Sequence, residues 1–137
     1  MKDGLEAGLI TTRKITIDKP RTIDFLGEDL RIYATPELVR DIEGVCRDFL
    51  LSYCDAGEDS VGISVQVSHS GATLLGMQVE TTVKVAKVEG RAVSFEVTAT
   101  DGTEQICSGE HSRFVVEVAK LKSRVKAKAE KLKLTKT

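Results

Sequence analysis

The chain has 137 residues, of which 41% are hydrophobic, 30% charged and 4% aromatic, and its formal net charge is −1. That length fits one domain, residues 1–137, with a core large enough to need no disulfide or metal staple, and the composition excludes a disordered chain. No apolar run reaches the ~18 residues of a membrane span. The opening MKDGLEAGLI lacks the basic start and apolar centre of a signal peptide, so a cytoplasmic protein without membrane partners is expected.

Cys46, Cys54 and Cys107 show neither CxxC nor Cys/His spacing, and His69 and His111 complete the histidines, so neither a disulfide framework nor a metal site is expected. The charge is uneven. After Ala119 eight basic residues face one acid, a net +7, against −8 in residues 1–119. Such a tail reads as a solvated helix or as a phosphate-attracting arm. Scarce aromatics and the acidic body argue against nucleic acid as the partner.

In chain order, residues 13–17 read as a short strand ended by Pro20, and residues 20–34 as a loop with one helical turn. Thr35-Pro36-Glu37 is a helix start, with Thr35 as N-cap hydroxyl and proline at the first helical position. Leu38, Ile42, Val45 and Phe49 carry that helix at 3.6 spacing to about Cys54, where Asp55-Ala56-Gly57 stops it.

The period then changes to two. Val61, Ile63, Val65, Val67 and His69 form an inward series of one half-buried strand. Met77, Val79, Val83 and Val85 repeat the alternation, and Val93, Phe95, Val97 and Ala99 follow a Glu89-Gly90 turn. Asp101-Gly102 is a second hairpin signal, and a last strand over residues 105–118 slips its alternation, which points to a bulge. The Ala/Lys/Leu-rich end is helical from Ala119 to about Leu134. One long amphipathic helix must bury its stripe on one face of one antiparallel sheet. The fold class is therefore α+β, a hotdog fold of five antiparallel strands wrapped around one long helix, plus a C-terminal basic helix over residues 118–137.

Residues that break the pattern are the candidates for chemistry. Glu43 lies at the edge of the apolar arc, beside Leu50, where desolvation raises a carboxyl pKa toward neutrality; bending to solvent is the alternative. His69 ends the inward series, either as a hydrogen-bonded core residue or as a proton carrier at a cleft. Capping its own helix by itself explains the Thr35 hydroxyl, although it also faces the same arc two turns before Glu43. Gly62 inside a strand admits a ligand to backbone N–H groups, or simply packs tightly. Gly71 opens the chain just after His69. Arg113, on one face of the last strand with His111, pairs with a carboxylate, binds a phosphate, or is solvated. The cysteines are packing residues.

Ala34-Thr35, Glu43, Gly62, Val67-Ser68-His69-Ser70-Gly71-Ala72-Thr73, Val88-Glu89-Gly90-Arg91 and Ser108-Gly109-Glu110-His111-Ser112-Arg113 resemble, in order and spacing, the fluoroacetyl-CoA thioesterase-like hotdog proteins. The resemblance covers most of residues 1–125. It implies an acyl-CoA thioesterase with Thr35, Glu43 and His69 as the catalytic set, a backbone carbonyl site at Gly62, and the family's arginine at Arg113. It also implies a homodimer, with tetramers open, whose interface holds the site and admits the pantetheine arm. Coenzyme A would be part of the substrate, and no separate cofactor is expected. The stretch before Thr35, Leu26 to Tyr33, holds no Phe and is shorter than the family's Phe-rich cover over the acyl group, so a small acyl group is expected without selectivity for fluorine. The rivals are a non-catalytic acyl-CoA or acyl-ligand binder on the same scaffold and a hotdog dehydratase.

Overall fold

The structure, a computed structural model, describes residues 1–132. Its elements in order are β1 (Ile10–Thr16), two 3-10 turns (Lys19–Arg21 and Glu28–Leu30), α1 (Thr35–Leu51), β2 (Glu58–His69), β3 (Gln78–Glu89), β4 (Ala92–Thr100), β5 (Gln105–Glu117) and α2 (Val118–Lys131). The loop before α1 thus holds two helical turns where the sequence suggests one. Leu134 and the lysines at 133 and 136, expected to extend the terminal helix, lie outside the described residues.

The five strands form one antiparallel sheet in the order β1-β3-β4-β5-β2. The stripe of α1, Leu38, Ile42, Val45, Cys46 and Leu50, is buried. It packs in one cluster with Val79, Val83, Val85, Val93, Phe95, Val97 and Cys107 from the inner face of the sheet. This is the hotdog arrangement, with α1 as the filling. All three cysteines are free and buried, as packing residues should be. Among the described residues no helix is long and apolar enough to cross a membrane.

The turns follow from local chemistry. Gly90 takes φ 61° between β3 and β4, a left-handed conformation that glycine adopts without steric cost. Between β4 and β5 the buried Asp101 carboxylate accepts from the backbone N–H groups of Thr103 and Glu104 and from the Thr103 hydroxyl, so Asp101-Gly102 makes a four-residue loop.

Two bulges set the register. The one expected in β5 is at Ile106, an extra residue between the pairs Ala99↔Cys107 and Thr100↔Gln105. The other, hidden in the sequence, is at Ile63, between Gly62↔Arg113 and Ser64↔Ser112. It corrects the inward series. An extra residue reverses which face each later side chain takes. Val61 therefore shares the outer face with Phe114, and Ile63 is 56% exposed, whereas Val65, Val67 and His69 share the inner face with His111, Gly109 and Cys107.

Gly109 is the tightest point of the β2–β5 pairing. A Cβ there would stand 2.1 Å from the Gln66 carbonyl oxygen and 2.6 Å from the Val67 Cα. Both obstacles are backbone, so neither can turn aside. Gly109→Ala is expected to lower unfolding stability by about 3 kcal/mol through overpacking, measured by denaturant titration. An unchanged midpoint would show that β2 and β5 are less closely joined than described.

Candidate functional site

Thr35 is the first helical residue rather than the cap. Ala34 holds the cap position with extended backbone and no side-chain bond. That frees the Thr35 hydroxyl, whose Oγ1 lies 2.7 Å from Nδ1 of His69 at the end of β2. The other ring nitrogen, Nε2, is buried with no hydrogen-bond partner. Burial holds the His69 pKa below its ordinary value, against a backbone hydrogen bond to Gly71, and so favours the neutral ring.

Tyr33 supports the ring from the side, edge-on, with centroids 6.1 Å apart. Its hydroxyl donates to Asp41, which also accepts from Arg21 Nε at 2.9 Å and Nη2 at 3.1 Å. Burial and the Asp41 carboxylate push the Tyr33 phenol upward, which keeps it protonated as that donor. A cavity of about 420 Å3 adjoins the pair, walled by Ile23, Phe25, Leu26 and Ile32 on one side and by Ser70, Gly71 and Ala72 on the other. Gly71 thus borders the cavity. Its missing side chain has a second reason, because a Cβ there would meet Glu104 Oε1 at 2.8 Å and Ile106 Cγ2 at 2.9 Å.

Glu43, Gly62 and Arg113 form a second cluster. Glu43 stands eight residues after Thr35, about 12 Å along the helix axis at the usual rise. No hydrogen bond or ion pair among the described residues joins it to Thr35 or His69. Its Oε2 lies 3.8 Å from Arg113 Nη1, and a Cβ on Gly62 would stand 3.6 Å from its carboxyl carbon. Of the two readings of Glu43, the single chain shows the one in which the side chain bends toward solvent, at 46% exposure. Arg113, by contrast, is 4% exposed, with Nε on Ser60 Oγ and Nη2 on the Ser60 carbonyl, each at 2.8 Å. Arg47 ties α1 to the start of β2 through both oxygens of Asp59, at 3.0 and 2.6 Å, and so holds Glu43 over Gly62.

The single chain thus places the predicted residues in two separate clusters, Thr35 with His69 and Glu43 with Gly62 and Arg113. Sequence reasoning missed Tyr33, Asp41 and Ser60, because their roles depend on partners far along the chain. A larger cleft of about 580 Å3 lies between the end of β5 and α2, but its Arg91 and Lys120 are each paired at 3.0 Å, to Glu58 and Glu117. Among the described residues no group of three or more His, Cys, Asp or Glu side chains is placed to hold a metal ion.

The comparisons with known proteins concern the family and the fold. The family model for FlK, a fluoroacetyl-CoA-specific thioesterase, matches residues 17–119. The fluoroacetyl-CoA thioesterase of Streptantibioticus cattleyicolor is 33% identical over 135 residues, covering 93% of this chain and 97% of that protein. A crystal structure of a point mutant of FlK with fluoroacetate and CoA superposes with TM-score 0.80 at 31% identity, covering 85% of this chain and 99% of that one. A thioesterase superfamily member from Thermus thermophilus shares the fold at TM-score 0.86 and 23% identity, covering 97% and 99%.

The two histidines give the fold a pH signature. Burial lowers both His69 and His111 from their ordinary 6.5. Below 6.5 the unfolded chain takes up protons that the folded chain resists, so stability is full above that pH and is lost as pH falls through it. The depressed carboxyls of Glu28 and Glu58 act only near and below their ordinary 4.5 and those of Asp59 and Asp101 near and below 3.8, while the raised N-terminal amine acts near and above its ordinary 8.0. The melting temperature should therefore fall between about pH 7.5 and pH 5.5, and His69→Gln should flatten the slope. A melting temperature constant across that interval would contradict the burial of these rings.

Proposed function

This chain belongs to the fluoroacetyl-CoA-specific thioesterase (FlK) family, and we propose that it hydrolyses small acyl-CoA thioesters at a site assembled by two copies of the chain. The observation that carries this reading is the buried, unpartnered Nε2 of His69, held from behind by Thr35 beside a cavity walled by apolar side chains. A neutral imidazole with one nitrogen engaged and one free is a proton shuttle, and the cavity would take the acyl group.

The second half-site supplies what the first lacks. A thioester carbonyl placed against the Gly62 N–H would have its developing oxyanion stabilised there, and one such donor lowers the barrier by ~3 kcal/mol. Glu43 would draw a proton from water or attack the carbonyl itself. In either route an acyl C–O bond forms and the C–S bond breaks. His69 first takes up the proton that the attacking water gives up, directly or through Glu43, and passes it to the leaving CoA thiolate. Where Glu43 attacks, that water then hydrolyses the acyl–Glu43 anhydride, and Thr35 orients the ring.

The edges of the sheet support assembly by β2. An edge strand offers unpaired backbone groups that proteins cover or blunt. β1 is seven residues long and carries Arg13 and Lys14, whereas β2 runs twelve residues without Lys or Arg and leaves Val61, Ile63 and Val65 at 38, 56 and 41% exposure. A second β2 would cover it. In antiparallel pairing about a two-fold axis, the His69 end of one strand lies beside the Gly62 half of the other. Thr35 and His69 of one protomer would then meet Gly62 and Glu43 of its partner. Pairing of such dimers into tetramers is open.

A panel of acyl-CoA thioesters assayed for free thiol tests the activity. Glu43→Gln and His69→Ala should each lower kcat about 100-fold or more while the dimer persists. Wild-type turnover in either variant would reject these roles, and no thiol release from the unaltered protein would leave a non-catalytic acyl-CoA binder. Mixing the two variants under subunit exchange tests the shared site. Half of the dimers become mixed, each with one intact site, so activity should recover to about a quarter of wild type. A mixture as inactive as its components would place the whole site within one protomer.

A further inference from the structure

Arg113 is a buried cation with a specified orientation. Nε and Nη2 are both held by Ser60, and Nη1 lies 3.2 Å from Nε2 of His111. The same Nη1 lies 3.8 Å from Glu43 Oε2. His111 is 1% exposed, and its Nδ1 is 2.8 Å from the Ser64 carbonyl oxygen, just past the Ile63 bulge. A carbonyl only accepts, so Nδ1 carries the hydrogen and Nε2 keeps a lone pair for Arg113. The chain of contacts therefore runs from the β2 backbone through a neutral imidazole to the guanidinium and on to the Glu43 carboxylate. The His111 ring also flanks the glycine, since its Cε1 would be 3.3 Å from a Cβ on Gly62.

We infer that His111 is a positioning residue for the proposed reaction, a neutral acceptor that fixes the Arg113 guanidinium and through it aims Glu43 at the Gly62 backbone. The inference rests on the thioesterase reading for its consequence and on the contacts of His111 and Arg113 for its geometry. An apolar side chain would fill the same volume but would leave one Nη1 hydrogen without an acceptor, which is costly for a buried cation. A cationic side chain would face Arg113 directly. Burial first, and the Arg113 charge in addition, disfavour the protonated ring, against the Ser64 carbonyl and the pull of Glu43. Among the described residues no hydrogen bond joins His111 to Thr35 or His69, so this influence passes through Arg113 to the carboxylate.

Two variants separate this from a packing role. His111→Asn keeps a donor near the Nδ1 position for Ser64 but falls short of Arg113. His111→Gln places an amide oxygen near the Nε2 position and keeps the acceptor. His111→Asn should lower kcat about tenfold with KM nearly unchanged, and His111→Gln should stay within about threefold of wild type. In a Glu43→Gln background, His111→Asn should cost almost nothing more, because the group it acts through is gone. Equal losses in both backgrounds, or equal losses for Asn and Gln, would overturn the inference. A readout independent of turnover is the Arg113 Nε–H signal in 1H–15N spectra, expected to be protected from exchange in wild type and His111→Gln and exposed in His111→Asn. If the unaltered protein released no thiol, the thioesterase reading would fail while this spectrum still reported the hold on Arg113; identical spectra in the two variants would overturn that hold.

Discussion

One extra residue in β2 governs the placement of the whole site. Gly62 and His69 are seven apart, and an uninterrupted strand, with its period of two, would send them to opposite faces. The bulge at Ile63 resets the phase, so that both face α1. Their partners on β5 make this plain. Gly62 pairs with Arg113 and His69 with Cys107, two positions six apart on a strand that is regular between them, and both are buried. The same insertion directs the Ser64 carbonyl to His111 and turns Val61 and Ile63 away from the core. Exposing those two side chains is the local cost of bringing a backbone donor and an imidazole onto one surface.

Most of the architecture is legible in the sequence because it follows from periodicity. The stripe of α1 and the alternation of β3 and β4 each match a burial pattern set by neighbours on the same element. The slip in β5 is legible as well, since Ile106 and Cys107 are adjacent and both apolar, and both are buried across the bulge. The Ile63 bulge is not, because Val61-Gly62-Ile63-Ser64-Val65 alternates without a flaw. An apolar residue at the insertion satisfies the pattern on either face, and only pairing with β5 decides between them.

The site was legible in its residue types and not in its electrostatics. Thr35 read as a cap because Thr before Pro at a helix start usually is one, yet here the hydroxyl turns to His69, 34 positions away in sequence. Glu43 read as desolvated because its flanks on α1 are apolar, but its environment is set by Arg113 from β5 and by open space beyond the β2 edge. Arg113 is the inverse case. A lone arginine on a strand suggests a solvated side chain, and its burial becomes tolerable only because Ser60 and His111 present three neutral acceptors in the plane of the fork. Those acceptors come from two strands, so no local window of sequence contains the group.

The separation of the half-sites has a chemical logic under the proposed mechanism. A carboxylate beside an imidazole favours the protonated ring, which would fill the Nε2 position meant to exchange a proton. Among the described residues no acidic side chain is bonded to His69. Thr35 and Tyr33 are its neighbours, both neutral, and burial keeps the ring uncharged. Glu43 meanwhile keeps company with a fixed cation, Arg113, whose Nη1 lies 3.8 Å from its Oε2. Each group is thus prepared in the state its task requires, and the two would meet only across the joined β2 edges, with the thioester between them. On this reading, covering the edge strand and completing the catalytic set are the same event, because the strand that needs a partner is the strand that carries both Gly62 and His69.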